Sequence, residues 1–131
     1  MKILIIDDNE DIAKMFSKYM EIKGHSCSVV NDGRSGLNLI ENQKFDAVIL
    51  DITMPEFSGR DVINALYESG KIKNQNIVIL TGSSITYDDE STLKSKGVRS
   101  FLKKPIDPDI LLDHIQQFEN KLGGIKPVLQ P

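Results

Sequence analysis

Residues 47–51 read Ala-Val-Ile-Leu-Asp, a run of four apolar residues that ends at a carboxylate. A run of this length without a polar interruption is typical of a β-strand covered by helices on both faces, as in a parallel sheet. Two other runs share the pattern, Ile-Leu-Ile-Ile at residues 3–6 and Ile-Val-Ile-Leu at residues 77–80. These three runs are therefore predicted to be the inner strands of one sheet.

Two further segments have the length of a strand but mix polar with apolar residues, residues 26–30 and residues 98–102. Polar residues predict edge strands, which keep one face partly in water. Amphipathic helical segments separate the five strands, and this alternation indicates βα units. The sequence thus predicts an α/β fold with a flavodoxin-like, doubly wound five-stranded parallel sheet in the order 2-1-3-4-5, with helices on both faces.

The helices between the strands show start signals and apolar faces. Ser58 followed by Asp61 predicts a capping box after the third strand, and residues 34–43 predict a shorter helix. The helix predicted at residues 87–96 has Leu93 as almost its only aliphatic anchor, which indicates low local stability. The predicted inward face of the first helix consists of Ile12, Met15, Phe16, Tyr19 and Met20.

Length and composition limit the class of protein. The 131 residues fit one domain, predicted at residues 1–122, followed by a tail or linker at residues 123–131 that contains two Gly and two Pro. No apolar run approaches the roughly 20 residues of a membrane span, and a net charge of −3 without a Lys/Arg cluster argues against direct nucleic-acid binding. A single cysteine, Cys27, is typical of a reducing compartment, so a cytoplasmic location is expected.

Carboxylates follow two of the inner strands at the point where each strand ends. Asp7 and Asp8 come directly after the first strand, and Asp51 comes directly after the third. These strands are predicted neighbours, roughly 5 Å apart, and ligands of such sheets bind where the strand order reverses. The three acids should therefore converge, and a cation would offset their repulsion. Helix capping is the favoured role for Asn9. For the three acids, a site with few oxygen ligands and room for water favours Mg²⁺ as the cation.

Two other polar residues are predicted to border the same crevice. Thr81 ends the fourth strand, and Lys104 follows the fifth. A threonine hydroxyl can donate a hydrogen bond, and a lysine ammonium can reach a neighbouring oxyanion. Each residue is unremarkable alone, but together with the three acids they predict one site for a phosphoryl group.

In this arrangement the chain resembles a response-regulator receiver domain. The matching features keep the order and spacing of that family from residue 1 to about residue 122. They are the pair Asp7-Asp8, the stretch Asp-Ile-Thr-Met-Pro-Glu-Phe-Ser-Gly at residues 51–59, Thr81, Phe101 and Lys104-Pro105. Five elements in register make the resemblance far more specific than any one short motif.

The resemblance assigns a role to each matching residue. It implies that Asp51 accepts the phosphoryl group, that Lys104 pairs with that group and that Thr81 hydrogen-bonds it. Lys103 is a rival for Lys104, but only Lys104 directly precedes the proline, and the Lys-Pro bond is expected to be cis. Thr81 and Phe101 would form the switch that reports phosphorylation. The implied Mg²⁺ ligands are the carboxylates of Asp7, Asp8 and Asp51 and the backbone carbonyl of Thr53.

The same resemblance implies a signalling switch rather than an enzyme with a separate substrate. Asp51 would take the phosphoryl group from a phosphohistidine on a sensor histidine kinase or a phosphotransfer protein, and hydrolysis would reset the switch. Thr53 and Ser83 would flank the site and tune the lifetime of the product. The downstream target is expected to be a protein, and the chain is expected to be a monomer or a phosphorylation-dependent dimer.

Two other classes of protein have related features. Phosphatases of the haloacid-dehalogenase type use an aspartate nucleophile, but they need a second acid two residues later, where this chain has Thr53. They also usually carry a cap domain. A constitutive interaction module would keep the fold without phosphorylation, and the intact set of acids, threonine and lysine argues against it. Labelling with acetyl phosphate, with and without Mg²⁺, separates the three classes.

Overall fold

A computed structural model of the protein describes residues 1–82 and 84–124. Its five parallel strands form one sheet in the order 2-1-3-4-5, so the predicted order is confirmed. The three uninterrupted apolar runs are the inner strands, and the two mixed segments are the edges. The strands are β1 (Lys2–Ile6), β2 (Ser26–Val30), β3 (Ala47–Leu50), β4 (Ile77–Thr81) and β5 (Ser100–Lys103).

Helices cover both faces of the sheet. Alternate strand residues point to opposite faces, so each inner strand contributes to two apolar clusters: Leu4 and Ile6 belong to one, and Ile3 and Ile5 to the other. The first cluster includes buried residues of the helices that follow β2, β3 and β4, and the second includes those of the helices that follow β1 and β5. The helices are α1 (Glu10–Ile22), α2 (Gly33–Asn42), α3 (Gly59–Glu68), α4 (Tyr87–Lys96) and α5 (Pro108–Gly124), with a short 3-10 helix at Lys71–Asn74.

Side-chain caps fix where the helices next to the sheet edge begin. The Asn9 side chain accepts a hydrogen bond from the backbone N–H of Ile12 (3.1 Å), so its predicted capping role is confirmed. Ser58 and Asp61 form the predicted capping box at the start of α3. In α4, Leu93 is the buried residue, in line with the sparse anchoring predicted for this helix.

The structure corrects three details of the sequence interpretation. β5 begins at Ser100 rather than at residue 98, because the backbone N–H of Val98 closes the end of α4 by donating to the carbonyl of Leu93 (3.2 Å).

Met15 does not face the core but is 46% exposed, since Ala13 and Phe16 fill that side of α1. α2 begins one residue earlier than predicted, because the side chain of Asp32 caps it.

The end of the chain bears on the predicted domain boundary. α5 extends through Gly124, which is two residues into the segment predicted as a tail. The rest of that segment, residues 125–131, lies outside the described residues. The boundary at residue 122 therefore stays a prediction.

Candidate functional site

Three carboxylates meet at the carboxyl ends of β1 and β3, which are neighbouring inner strands. Ile6 of β1 pairs with Leu50 of β3, so the residues that follow these strands leave the sheet side by side. Asp7 is 3% exposed and Asp51 is 6% exposed, whereas Asp8 is open to solvent. One carboxylate oxygen from each of the three acids lies within 4.8 Å of the others. The predicted convergence of the acids is confirmed.

Backbone N–H groups hold the two buried carboxylates in place. Oδ1 of Asp7 accepts a hydrogen bond from the N–H of Asn9 (2.9 Å), and Oδ1 of Asp51 accepts one from the N–H of Thr53 (3.1 Å). In both cases the donor lies two residues after the acid, on the loop that leaves the strand. Each loop therefore fixes one oxygen of its own carboxylate and leaves the other oxygen directed elsewhere.

Lys104 supplies the positive charge of the crevice. Its Nζ lies 2.7 Å from Oδ2 of Asp7 and 3.6 Å from Oδ2 of Asp51. The backbone N–H of Lys104 donates to the carbonyl of Thr81 (2.9 Å), which ties the loop after β5 to the end of β4. The Lys104–Pro105 peptide bond is cis, as expected. Of the two candidate lysines, Lys104 enters the crevice, whereas Lys103 is exposed at the end of β5.

The ionisation of the site follows from burial and crowding. Burial raises the pKa of Asp51 from the ordinary 3.8 to about 6, the charges of Asp7 and Asp8 add to the rise, and the Thr53 N–H and Lys104 oppose it. For Lys104, burial favours the neutral amine, but the hydrogen bonds and negative charges of Asp7 and Asp51 outweigh burial and raise the pKa of the ammonium. Lys104 is therefore a fixed cation, whereas burial and the neighbouring acids make Asp51 harder to ionise.

The donor set fits a divalent metal ion. All the groups that converge are carboxylates, which are hard oxygen donors, and one of the three acids faces solvent and leaves room for water. In the part of the chain that the structure describes, Lys104 is the one cation that forms an ion pair with these acids. A divalent ion would supply the charge that a single ammonium does not.

The remaining predicted site residues lie at different distances from the carboxylates. Thr81 ends β4, is 3% exposed and pairs with Lys103, the last residue of β5. Phe101 is half-buried on β5, next to α4. Thr53 is exposed on the loop after β3, and its carbonyl as a metal ligand stays a prediction. Ser83 lies outside the described residues.

The sequence interpretation missed the turn between β2 and α2, which reaches the crevice from the side. Nδ2 of Asn31 donates to the backbone carbonyl of Asp7 (2.9 Å). The Arg34 guanidinium lies over the ring of Phe57, 4.4 Å from its centroid, on the loop after β3. An Asn-Asp-Gly turn at the end of an edge strand is the available signal, but it predicts a turn and not its contacts.

Comparison with known proteins places the chain in a family. The model of the response regulator receiver domain matches residues 3–116. The transcriptional regulatory protein DltR of Streptococcus agalactiae is 34% identical over 116 residues, which are 88% of this chain but 50% of DltR, so the chain spans half the length of that relative.

Among the described residues, no helix combines the length and apolar character needed to cross a membrane, and the cytoplasmic location stays a prediction.

Solved structures agree in fold and coverage. The chemotaxis response regulator CheY4 of Vibrio cholerae is 28% identical and has a TM-score of 0.79, with 89% of this chain and 97% of CheY4 covered. TrrA of Thermotoga maritima, solved in complex with Mg²⁺–BeF, is 27% identical and has a TM-score of 0.74, with 90% of this chain and 99% of that chain covered. With the family model matched over most of the chain and the acidic crevice in place, the chain belongs to the response regulator receiver domains, the signalling switches of two-component systems.

Proposed function

We propose that Asp51 is the residue that accepts the phosphoryl group, in a Mg²⁺-dependent transfer from a phosphohistidine on a sensor histidine kinase or a phosphotransfer protein. The observation that carries this proposal is the convergence of three carboxylates on the ammonium of Lys104. Asp51 follows β3, which lies between β1, followed by Asp7, and β4, which ends at Thr81. A phosphoryl group on Asp51 would therefore have Asp7 on one side and Thr81 on the other.

The transfer exchanges one bond to phosphorus for another. A carboxylate oxygen of Asp51 forms the new P–O bond while the P–N bond of the phosphohistidine breaks, and the imidazole keeps the electron pair. Lys104 lies 3.6 Å from Oδ2 of Asp51, close enough to pair with an oxygen of the transferred group. Hydrolysis reverses the modification, because water attacks phosphorus, the P–O bond to Asp51 breaks and inorganic phosphate leaves.

The residues that would hold the metal ion are Asp7, Asp8 and Asp51, together with the backbone carbonyl of Thr53. Bound Mg²⁺ would neutralise charge on the carboxylates and on the phosphoryl oxygens. The Nζ of Lys104 lies nearer to Asp7 (2.7 Å) than to Asp51 (3.6 Å). Neutralisation of Asp7 by another cation would release the ammonium for the phosphoryl group.

Mg²⁺ is expected to stabilise the unphosphorylated protein. A ligand that binds only the folded state at a hundred times its Kd adds about 2.7 kcal/mol to the free energy of unfolding, so the melting temperature should rise with Mg²⁺. Asp8→Asn should reduce the rise in melting temperature, because it removes the charge of one proposed ligand. Asp8 is exposed, so the substitution does not disturb the buried part of the site. Thermal unfolding across a Mg²⁺ titration measures this, with Asp113→Asn, an exposed acid of α5, as the control. A parent melting temperature that does not respond to Mg²⁺ would contradict the metal site.

We also propose that Thr81 and Phe101 transmit phosphorylation to the surface of α4. A cavity of about 380 Å³ lies between the end of β4 and α4, and both residues line it together with Glu90. When Thr81 turns toward a phosphoryl oxygen it vacates space for the ring of Phe101. The phenyl ring has no hydroxyl that needs a partner, so burial costs it little.

The inward ring of Phe101 is therefore expected to be populated before phosphorylation and to gain population afterwards. NMR of the aromatic rings with Mg²⁺, with and without beryllofluoride as a phosphoryl mimic, measures the shift. Phe45, which is 2% exposed and contacts Lys2 at the other end of the sheet, is the internal control and should not respond. Unchanged Phe101 and Tyr87–Lys96 signals at full occupancy of Asp51 would rule out this route.

A further inference from the structure

The loop that follows the proposed phosphoacceptor, residues 52–58, is closed firmly at its base. The N–H of Gly59 donates to the carbonyl of Ile52 (3.1 Å), and Gly59 packs so closely that a Cβ there would collide with the backbone of Asp51 and Ile52. Ile52 is 4% exposed. The base of the loop is therefore set by backbone packing.

The tip of the same loop adopts an uncommon backbone conformation. Glu56 is exposed and has a φ of 67°, in the left-handed region that non-glycine residues seldom adopt. The N–H of Phe57 turns back to the carbonyl of Pro55 (2.7 Å). Such a conformation persists where surrounding contacts add to the local hydrogen bond.

The β2–α2 turn, defined here as residues 31–34 and including the first two residues of α2, makes the external contact. Gly33 is buried against the backbone carbonyl of Phe57, where a Cβ would collide with that carbonyl. Arg34 is exposed but lies over the Phe57 ring at 4.4 Å, a distance typical of a cation–π contact. The turn is itself fixed to the crevice, because Asn31 donates to the carbonyl of Asp7 (2.9 Å).

We propose that Arg34 and Phe57 are positioning residues for the phosphoryl site, and that the β2–α2 turn clamps the loop after β3 against the acidic crevice. The proposal rests on the proposed function of Asp51. The clamp reaches the chemistry through Thr53, whose N–H donates to Oδ1 of Asp51 (3.1 Å) and whose carbonyl is the proposed fourth metal ligand. Release of Phe57 would loosen that loop and misplace both groups.

Three single variants and one control test the clamp. Arg34→Gln removes the cation, Phe57→Leu removes the π face and keeps an apolar side chain, and Arg34→Lys keeps a charge of different shape. Lys23→Gln is the matched control, because Lys23 lies over the ring of Tyr19 at 5.5 Å at the far end of α1. If the contact between Arg34 and Phe57 only stabilised the fold, Arg34→Gln and Lys23→Gln should have similar effects on Mg²⁺ binding and on hydrogen exchange at Thr53.

Two readouts do not require phosphorylation: the Kd for Mg²⁺ measured by calorimetry, and the hydrogen exchange rate of the Thr53 amide. Arg34→Gln and Phe57→Leu should each weaken Mg²⁺ binding roughly tenfold, as loss of an outer support of a metal site does, and should speed exchange at Thr53. Arg34→Lys should recover part of the loss. The double variant should be no worse than the worse single variant, because both remove the same contact.

The third readout is the lifetime of the phosphorylated protein after labelling with acetyl phosphate, which should change in Arg34→Gln and not in Lys23→Gln. The clamp is wrong if Arg34→Gln and Phe57→Leu stay within about twofold of Lys23→Gln in Kd and exchange rate, or if their effects add in the double variant. Failure of the proposed function looks different, because the parent protein itself would then take up no phosphoryl group. Exchange at Thr53 tests the clamp even in that case.

Discussion

Asp51→Asn should abolish phosphoryl uptake. The asparagine keeps the size of the side chain and an oxygen that can accept the hydrogen bond of the Thr53 N–H (3.1 Å), so the loop after β3 should stay in place. It lacks the anionic oxygen that attacks phosphorus. Mass spectrometry of the intact protein after incubation with acetyl phosphate and Mg²⁺ should show one added phosphoryl group in the parent and none in the variant.

A matched acid at the other end of the sheet controls for the loss of a charge. Asp46 is half-buried and accepts a hydrogen bond from the backbone N–H of Lys2 (2.7 Å), which asparagine can also do. Asp46→Asn should therefore be labelled like the parent. Equal labelling of Asp51→Asn would move the acceptor to another residue. A parent that is never labelled would favour a constitutive interaction module.

Much of the fold could be predicted because the strands carry their own signal. Each of the three inner strands contains four consecutive apolar residues, which is typical of a strand covered on both faces, and the two mixed segments are the edges. Once the order was predicted, the site followed from topology, because residues that end neighbouring parallel strands must meet. Asp7, Asp51, Thr81 and Lys104 were predicted together for this reason.

The rest depends on contacts that no local pattern encodes. Val98 has the sequence of a strand residue, but its N–H closes α4, and only the geometry around Gly97 decides between the two uses. The contact between Arg34 and Phe57 joins the start of α2 to a loop 23 positions later, and no local sequence pattern pairs the two segments. The nearer approach of Lys104 to Asp7 than to Asp51 depends on side-chain geometry within one crevice.

Asp51→Asn, the variant expected to abolish phosphoryl uptake, should also make the metal-free protein more stable at neutral pH. Burial raises the pKa of Asp51 from 3.8 to about 6, so the folded protein binds this proton more tightly than the unfolded chain does. The stabilising contribution is complete below pH 3.8 and is lost as the pH rises through about 6. The rise in the pKa of Asp51 from 3.8 to about 6 corresponds to at most about 3 kcal/mol in the free energy of unfolding.

Asparagine does not titrate and so does not carry this cost. In urea unfolding with EDTA, Asp51→Asn should exceed the parent by about 1–3 kcal/mol near pH 7.5, and the advantage should shrink as the pH falls from about 6 toward 4. Asp113→Asn, which removes an exposed acid of α5, is the matched control for the loss of one carboxylate. An Asp51→Asn advantage that is independent of pH would mean that its source is packing rather than ionisation. Saturating Mg²⁺ should erase or reverse the advantage, because the ionised Asp51 that destabilises the metal-free fold is the form that binds the cation and attacks phosphorus.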